Sequence, residues 1–417
     1  MGTGKSKVVA DRIRYGLESQ GWRNILIAAP ASVLGSWRDQ LMEHTELPCR
    51  LLRGPKAKRL AMLAAGPGVY VINYEGLRVL APELLRINWD CFVCDESTRV
   101  KNARAKQTKI AWKLGNRTPH VYLLTGTPIT QSPLDIFGQY GVMGRDILGF
   151  SWYLPFRNRY AVMGGFEGRQ VVAYQNLDEL SAKVYSHAHR VTKAECLDLP
   201  PKTYEAREIE LKGEQAAAYR EMKRDRVAFL KAAGEVSAPI VLTQLMRLQE
   251  ITGGHVHNDD GHVVAFLEQP KLDALAELLD DLGGVQVVVW ARFVAEIKAI
   301  LKRFGGVGLY GEVHADDRDE AIRRFQAGDE RLLVGQQGTG GLGITLTAAH
   351  HVVYYSNSFS LEQRLQSEDR CHRIGQKNAV TYYDITARGT VDAKVLTVLR
   401  GKQLLAKAVL DWQWLFA

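Results

Sequence analysis

The sequence lacks what marks membrane, secreted and fibrous chains. No apolar run reaches the roughly 18 residues that a membrane span requires. The opening stretch, MGTGKSKVVADR, contains no apolar h-region, so it does not read as a secretory signal. Cysteine is sparse: Cys49, Cys91, Cys94, Cys196 and Cys371 are scattered and odd in number. That argues against a disulfide framework and for free thiols in a reducing compartment. Short-period repeats and low-complexity tracts are also missing. Acid is the scarcer charge, 46 Asp and Glu against 54 Lys and Arg, for a net charge of +8 and a pI of about 9.1. This balance suits a polyanionic partner, because Lys and Arg neutralise phosphate, although many basic proteins bind no nucleic acid.

What is present is an α/β rhythm. Short, nearly all-apolar runs at Asn24–Ala29, Val69–Asn73, Cys91–Cys94 and Val121–Leu124 predict strands covered on both faces of a parallel sheet. Helical patterns at Val33–His44 and Gln107–Leu114 lie between them. From about 136 to 199 the rhythm gives way to aromatics and arginines with no clear strand series, which predicts a helical insertion. Pro200-Pro201 punctuates the chain, and Thr203–Leu211 alternates as a strand. A second series follows: helix Leu272–Leu282, strand Val285–Trp290, helix Val294–Phe304, a strand near Gly308, helix Asp317–Phe325, strand Arg331–Val334, strand His351–Ser356 and helix Leu361–Cys371. The expected plan is a first lobe over 1–200 with its insertion at about 136–199, a linker and helical region over 201–270, and a second lobe over 271–417.

Three strings carry chemistry. Gly2-Thr3-Gly4-Lys5-Ser6 opens an amphipathic helix from about Lys7 to Glu18. Glycines let backbone amides and the helix N-terminus wrap phosphate, Lys5 reaches the outer phosphates, and the Ser6 hydroxyl holds Mg²⁺. The bland alternative is a glycine-lysine turn. The full pattern also has a glycine three positions before Gly2 and a strand feeding the loop. Neither is in the sequence, which is expected to leave the ATP site incomplete unless another segment supplies the strand. Next, Cys91-Phe-Val-Cys94-Asp95-Glu96 ends an apolar strand on two acids. Asp95 can hold Mg²⁺ while Glu96 orients and deprotonates the attacking water; a surface turn reads the same in isolation. The Cys91–Cys94 spacing has no second CxxC to complete a metal site, so both read as buried apolar thiols. Third, Gln366-Ser-Glu-Asp-Arg370-Cys-His-Arg373 places two arginines three apart. On a helix they share a face, either as arginine fingers for a γ-phosphate or as a solvated face paired with Glu368 or Asp369.

Taken in order, these strings resemble the Swi/Snf-type, chromatin-remodeller-like ATPases of helicase superfamily two. MGTGKS resembles the end of the family's first motif, IAAPASVLGSWRDQL and VINYEGLR its early nucleic-acid-facing motifs, and DESTRVKN its DEAH-box segment. LLTGTPITQSPLDIF resembles motif III, VVVWARFVAEI motif IV, GTGGLGITLTAAHHVVYYSNSFS motif V and QSEDRCHRIGQK motif VI. LDLPPKTYEAREIEL resembles the link between lobes. The resemblance implies two RecA-like parallel-sheet lobes with a helical insertion between them, ATP and Mg²⁺ as ligands, and double-stranded DNA as partner. It implies Thr3, Gly4, Lys5 and Ser6 with Gly2 at the phosphates, Asp95 and Ser6 at Mg²⁺, Glu96 at the water, and Arg370 and Arg373 as fingers with Gln366 nearby. Ser36, Trp37, Tyr74 and Thr345 are candidate DNA contacts, each also readable as structural. Ser97-Thr98 departs from the Ala-His of DEAH, which puts coupling to DNA in doubt rather than metal binding.

The implied function is an ATP-driven motor tracking along duplex DNA. A strand-separating DNA or RNA helicase and an ATPase-inactive DNA-binding subunit are the rivals. A compact chain of this kind suits a phage or bacterial source and a cytoplasmic or nucleoid location, nuclear if eukaryotic. Two features fall outside this plan. Gly254-His255-Val-His257-Asn-Asp-Asp-Gly-His262 reads as a solvated hairpin around a strong turn signal in preference to a metal site. The tail Trp412-Gln-Trp414-Leu-Phe416 reads as apolar packing on the second lobe or a partner contact.

Overall fold

The computed structural model describes residues 3–45, 47–165, 168, 170–232, 238–258, 260, 262–338 and 344–410. Gly2, the stretch 339–343 of the glycine-rich loop, and the tail with Trp412, Trp414 and Phe416 lie outside the described residues. The chain divides into two compact units, Met1–Cys196 joined by the chain from Lys402 onward, and Leu197–Gly401.

The first unit runs α1 (Lys5–Ser19), β1 (Asn24–Ala29), α2 (Leu34–Thr45), β2 (Cys49–Leu51), α3 (Lys56–Ala64), β3 (Gly68–Asn73), α4 (Tyr74–Val79), α5 (Ala81–Leu84), β4 (Cys91–Asp95), α6 (Lys106–Gly115) and β5 (His120–Leu124). The five strands pair in parallel in the order β2-β3-β1-β4-β5. Every position of β4 except Asp95 is buried, as apolar central strands must be when helices cover both faces. Cys91 and Cys94 are fully buried in separate clusters, one with Ile25 and Ile27, the other with Leu26 and Ala28. Burial pushes the Cys91 thiol up to about 12 and the Cys94 thiol further still, so both act as small apolar side chains. The insertion holds α7 (Asp135–Tyr140), α8 (Tyr153–Tyr160), α9 (Leu177–Tyr185) and α10 (Lys193–Cys196), with its own core around Phe137, Phe156 and Tyr160. It is not wholly helical: β6 (Ala161–Gly164) and β7 (Gln170–Tyr174) form an antiparallel hairpin. Valines at 162, 171 and 172 are all exposed in it, so the burial pattern that announces a strand is missing.

The second unit begins with β8 (Lys202–Ile209), α11 (Gly213–Ala232), α12 (Ala238–Thr252) and the antiparallel hairpin β9 (His255–His257) and β10 (Val263–Ala265). It continues through α13 (Pro270–Asp281), β11 (Val287–Ala291), α14 (Val294–Phe304), β12 (Val307–Leu309), α15 (Ala315–Ala327), β13 (Leu332–Gln336), β14 (His351–Tyr354), α16 (Leu361–Cys371), β15 (Val380–Ala387) and the first part, to Gly401, of α17 (Val391–Leu410). Six parallel strands pair in the order β12-β13-β11-β14-β15-β8. The expected linker over 201–270 is therefore part of this unit: β8 pairs with β15 along all eight residues. The two parallel-sheet lobes expected from the sequence are thus present. No described helix is long and apolar enough to cross a membrane.

Candidate nucleotide site and its coupling residues

In the first unit the acidic pair sits where a parallel sheet delivers its functional residues, at the carboxyl end of β4. Burial raises the Asp95 carboxyl above the usual carboxylate range, opposed by a hydrogen bond from Trp37, the charge of Lys5 and the Glu96 amide. The Trp37 indole Nε1 donates to Asp95 Oδ2 at 2.8 Å, and the Glu96 amide donates to Oδ1 at 3.1 Å. The Tyr74 hydroxyl donates to the Asp95 carbonyl at 2.7 Å. Glu96 follows in a left-handed backbone conformation, φ 50°, which non-glycine residues adopt at a cost and which is enriched at functional sites.

These contacts favour the structural reading of two candidates. Trp37 and Tyr74, read as DNA contacts, are each only 2% exposed and turn their polar atoms onto Asp95. Their side chains position the acid and do not face a ligand outside the lobe. Ser36 is exposed and accepts a hydrogen bond from Gln40 at 3.1 Å, and Thr345 is half-buried. Both remain accessible to a partner.

The phosphate-loop residues gather at the start of α1. Gly4 caps the helix with φ 80°, and a Cβ there would meet nothing within 4 Å, so backbone approach from outside is open. The first turn of α1 contains no acidic residue and no side-chain cap bond, while Lys5 and Ser6 are half-buried. Helix amides, a lysine and no competing carboxylate make a donor set that fits an anion. Ser6 and the half-buried Asp95 offer oxygen ligands, the donor type that suits Mg²⁺.

A connection that the sequence does not announce joins this site to the segment Leu124–Thr130. The Ser97 hydroxyl donates to Gln139 Oε1 at 2.8 Å, and Gln139 Nε2 donates to the Pro128 carbonyl at 2.6 Å. Lys101 Nζ reaches the Thr130 hydroxyl at 2.6 Å, and Asp135 accepts from the amides of Thr130, Gln131 and Ser132. Gly138 permits this packing, because a Cβ there would collide with the Lys101 carbonyl. Ser97 is thus the near end of a hydrogen-bonded path from the acids to the Thr125–Thr130 turn. Gln139 has no signal in the sequence beyond lying in the LLTGTPITQSPLDIF neighbourhood.

In the second unit, Arg370 lies in the last turn of α16 while Arg373 lies just beyond the helix, so the shared helical face does not hold as stated. The two converge by another route: both donate to the Ile344 carbonyl, at 3.5 and 3.0 Å, where the chain leaves the glycine-rich loop. The alternative pairing with Glu368 is taken up elsewhere. Glu368 binds Arg364 at 2.9 Å and Lys202 at 3.0 Å. Gln366 is half-buried and bonds Glu362 at 3.3 Å. Arg364, which sequence reasoning passed over, is the centre of a buried network. It forks onto Asp384 at 2.5 and 3.1 Å, bonds Asn357 at 3.0 Å and lies 3.4 Å over the Tyr354 ring. Its placement orients α16, and with it Gln366 and Arg370, against β14 and β15.

Comparison with known proteins gives consistent matches. The SNF2-related domain family matches residues 1–255, and the helicase conserved C-terminal domain matches residues 270–375. A putative ATP-dependent helicase/translocase, YwqA, of Bacillus subtilis is 26% identical over 409 residues, covering 93% of this chain and 43% of the relative. The TATA-binding protein-associated factor mot1 of Aspergillus fumigatus is 27% identical, covering 93% and 23%. The chromodomain-helicase-DNA-binding protein 8 of Homo sapiens is 27% identical, covering 93% and 16%. The chain therefore spans less than half the length of these relatives. A solved Sulfolobus solfataricus SWI2/SNF2 ATPase core in complex with dsDNA matches with a TM-score of 0.44 and 23% identity, covering 99% of this chain and 87% of that one.

Proposed function

Because the chain belongs to the SNF2-related domain family, we propose that it is a nucleic-acid-dependent ATPase that tracks along double-stranded DNA without separating the strands. The observation that carries this reading is local to the first lobe. Lys5 at the start of α1 lies close enough to Asp95 for its charge to act on that carboxyl, so phosphate-type donors and an acid that suits a divalent ion share one sheet edge. Bound ATP supplies the phosphoanhydride and Mg²⁺ the charge that offsets the phosphates. Lys5 and the amides of Thr3, Gly4 and Ser6 hold phosphate oxygens. The Ser6 hydroxyl and Asp95 hold the ion. Glu96 takes a proton from the attacking water. Arg370 and Arg373 are the proposed arginine fingers, with Gln366 beside them. The Ser97–Gln139–Pro128 path is the proposed route by which the acid pair senses DNA.

DNA contacts of this kind fall mainly on phosphates, so binding is salt-sensitive and weakly sequence-specific, in keeping with the net charge of +8. Ser36 and Thr345 remain the candidate contacts. The test is phosphate release from this chain with duplex DNA, beside displacement of a triplex strand and unwinding of a plain duplex. Duplex-stimulated release with triplex displacement supports the proposal, and Lys5→Ala should abolish it. Unwinding of the plain duplex would point to a strand-separating helicase. Intact DNA binding without release would point to an inactive DNA-binding subunit.

A further inference from the structure

We propose that Glu250, His255 and His257 form a binding site for Zn²⁺ or a similar divalent transition metal in the second unit, separate from the nucleotide site. Glu250 lies on the last turns of α12, and Gly254, with φ 96°, turns the chain into β9. His255 and His257 are two apart on that strand, so their rings share one side of the hairpin. Their centroids are 5.8 Å apart. One donor atom from each of the three residues lies within 4.8 Å of the other two. His257 Nδ1 is 3.3 Å from Glu250 Oε2. Zn–N bonds of about 2.0–2.1 Å in a tetrahedron set donors about 3.4 Å apart, so one edge already has that length. The wider edge closes through side-chain torsions.

A second observation marks the cluster as more than a turn. His255 and Glu250 are buried, His255 Nε2 is shielded from solvent without a hydrogen-bond partner among the described residues, and the equally shielded His257 Nδ1 has the Glu250 carboxylate as its neighbour. Buried imidazole nitrogens are ordinarily partnered, and two side by side next to a carboxylate is the arrangement that a metal satisfies. Arg247 donates to Glu250 Oε2 at 2.9 Å, but a carboxylate accepts about four partners, so this pair does not exclude an ion. Two histidines and one glutamate leave the fourth tetrahedral position to water. Such an ion would tie the β9–β10 hairpin to the end of α12, next to Gln249, which bonds both Arg292 and the Asn357 carbonyl.

The experiment uses the whole chain without a histidine tag, stripped by chelator and desalted, then given ZnCl₂ or CoCl₂. We expect about one Zn²⁺ retained per chain, a visible Co²⁺ spectrum of tetrahedral intensity, and a Zn²⁺-dependent rise in melting temperature. His257→Gln, at a half-buried position that tolerates the change, should lower metal affinity at least tenfold while keeping the metal-free melting temperature. His262→Gln, on the same hairpin but exposed and outside the cluster, should retain binding. Equal Zn²⁺ retention by the parent chain and His257→Gln, or equal loss in both variants, overturns the site. An octahedral Co²⁺ spectrum does so as well.

Discussion

Replacing Trp37 by phenylalanine isolates the role of the residue that grips Asp95. The ring stays apolar and buried, while the Nε1 donor at 2.8 Å from Asp95 Oδ2 is removed. A hydrogen bond to a charged acceptor contributes about 1.5–3 kcal/mol. At 1.36 kcal/mol per tenfold, that corresponds to roughly ten- to hundredfold in any equilibrium that depends on the charged carboxylate. Metal ligands that lose a supporting partner weaken by about the same factor, ~10–100-fold. The expected result for Trp37→Phe is a Mg²⁺ half-saturation for ATP hydrolysis raised by that factor at neutral pH. The sign on pH follows: burial already raises Asp95, and losing its largest opposing contact raises it further, so the acid limb of the rate profile moves to higher pH. Duplex affinity and its salt slope should not change, because the indole is buried. The assay is steady-state phosphate release against free Mg²⁺ at saturating DNA, with near-ultraviolet circular dichroism to confirm the fold. A correctly folded Trp37→Phe with unaltered Mg²⁺ dependence, or one that loses DNA affinity instead, refutes the reasoning.

Two further perturbations probe the second lobe. Glu296 is buried, and desolvation pushes its carboxyl up to about 7, opposed by the charge of Lys271 and the Ser356 hydroxyl. A folded value above the unfolded 4.5 favours the native state at low pH, and that contribution is lost as pH rises through about 7. Glu296→Gln should therefore gain stability relative to the parent at alkaline pH, on the order of 3 kcal/mol, with the gap closing toward pH 4.5; urea midpoints across pH that stay parallel would contradict it. Arg364→Lys keeps the charge but loses the fork onto Asp384, and disrupting a buried pair costs about 3 kcal/mol or more. Urea unfolding reads that loss, and a change below about 1 kcal/mol would show that the fork contributes only complementarity.

Legibility in the sequence followed burial. Strands such as Asn24–Ala29 and helices such as Val294–Phe304 and Leu361–Cys371 were delimited by apolar runs and periodicity alone, because central parallel strands admit little else. β15 escaped because Thr381, Asp384 and Thr386 interrupt its apolar pattern. Asp384 is tolerable inside through Arg364, twenty residues earlier on another element, and through the Asn357 amide that donates to the same carboxylate. The hairpin at 161–174 escaped because its valines are exposed. At the site, Lys5, Asp95 and Glu96 were readable because their chemistry is written in adjacent residues. Trp37 and Tyr74 are readable in the sequence either as DNA contacts or as structural residues, and nothing there chooses between the two. An aromatic near a helix start carries no mark of whether it faces outward or reaches an acid 58 residues later in the chain.

The pairing of β8 with β15 also sets a clock. Thr203 and Thr381 share a hydrogen bond across 178 positions, so the first strand of the second unit is synthesised long before the neighbour that receives it. At roughly 5–20 residues per second, β8 waits roughly 10–40 s on a growing chain. An apolar strand exposed for that long invites pairing with other nascent chains. β8 instead reads KTYEAREI, largely exposed even in the finished sheet, with Lys202, Glu205, Arg207 and Glu208 along it. Its polarity lets it stay unpaired in water until β15 emerges, so the strand made first can be placed last.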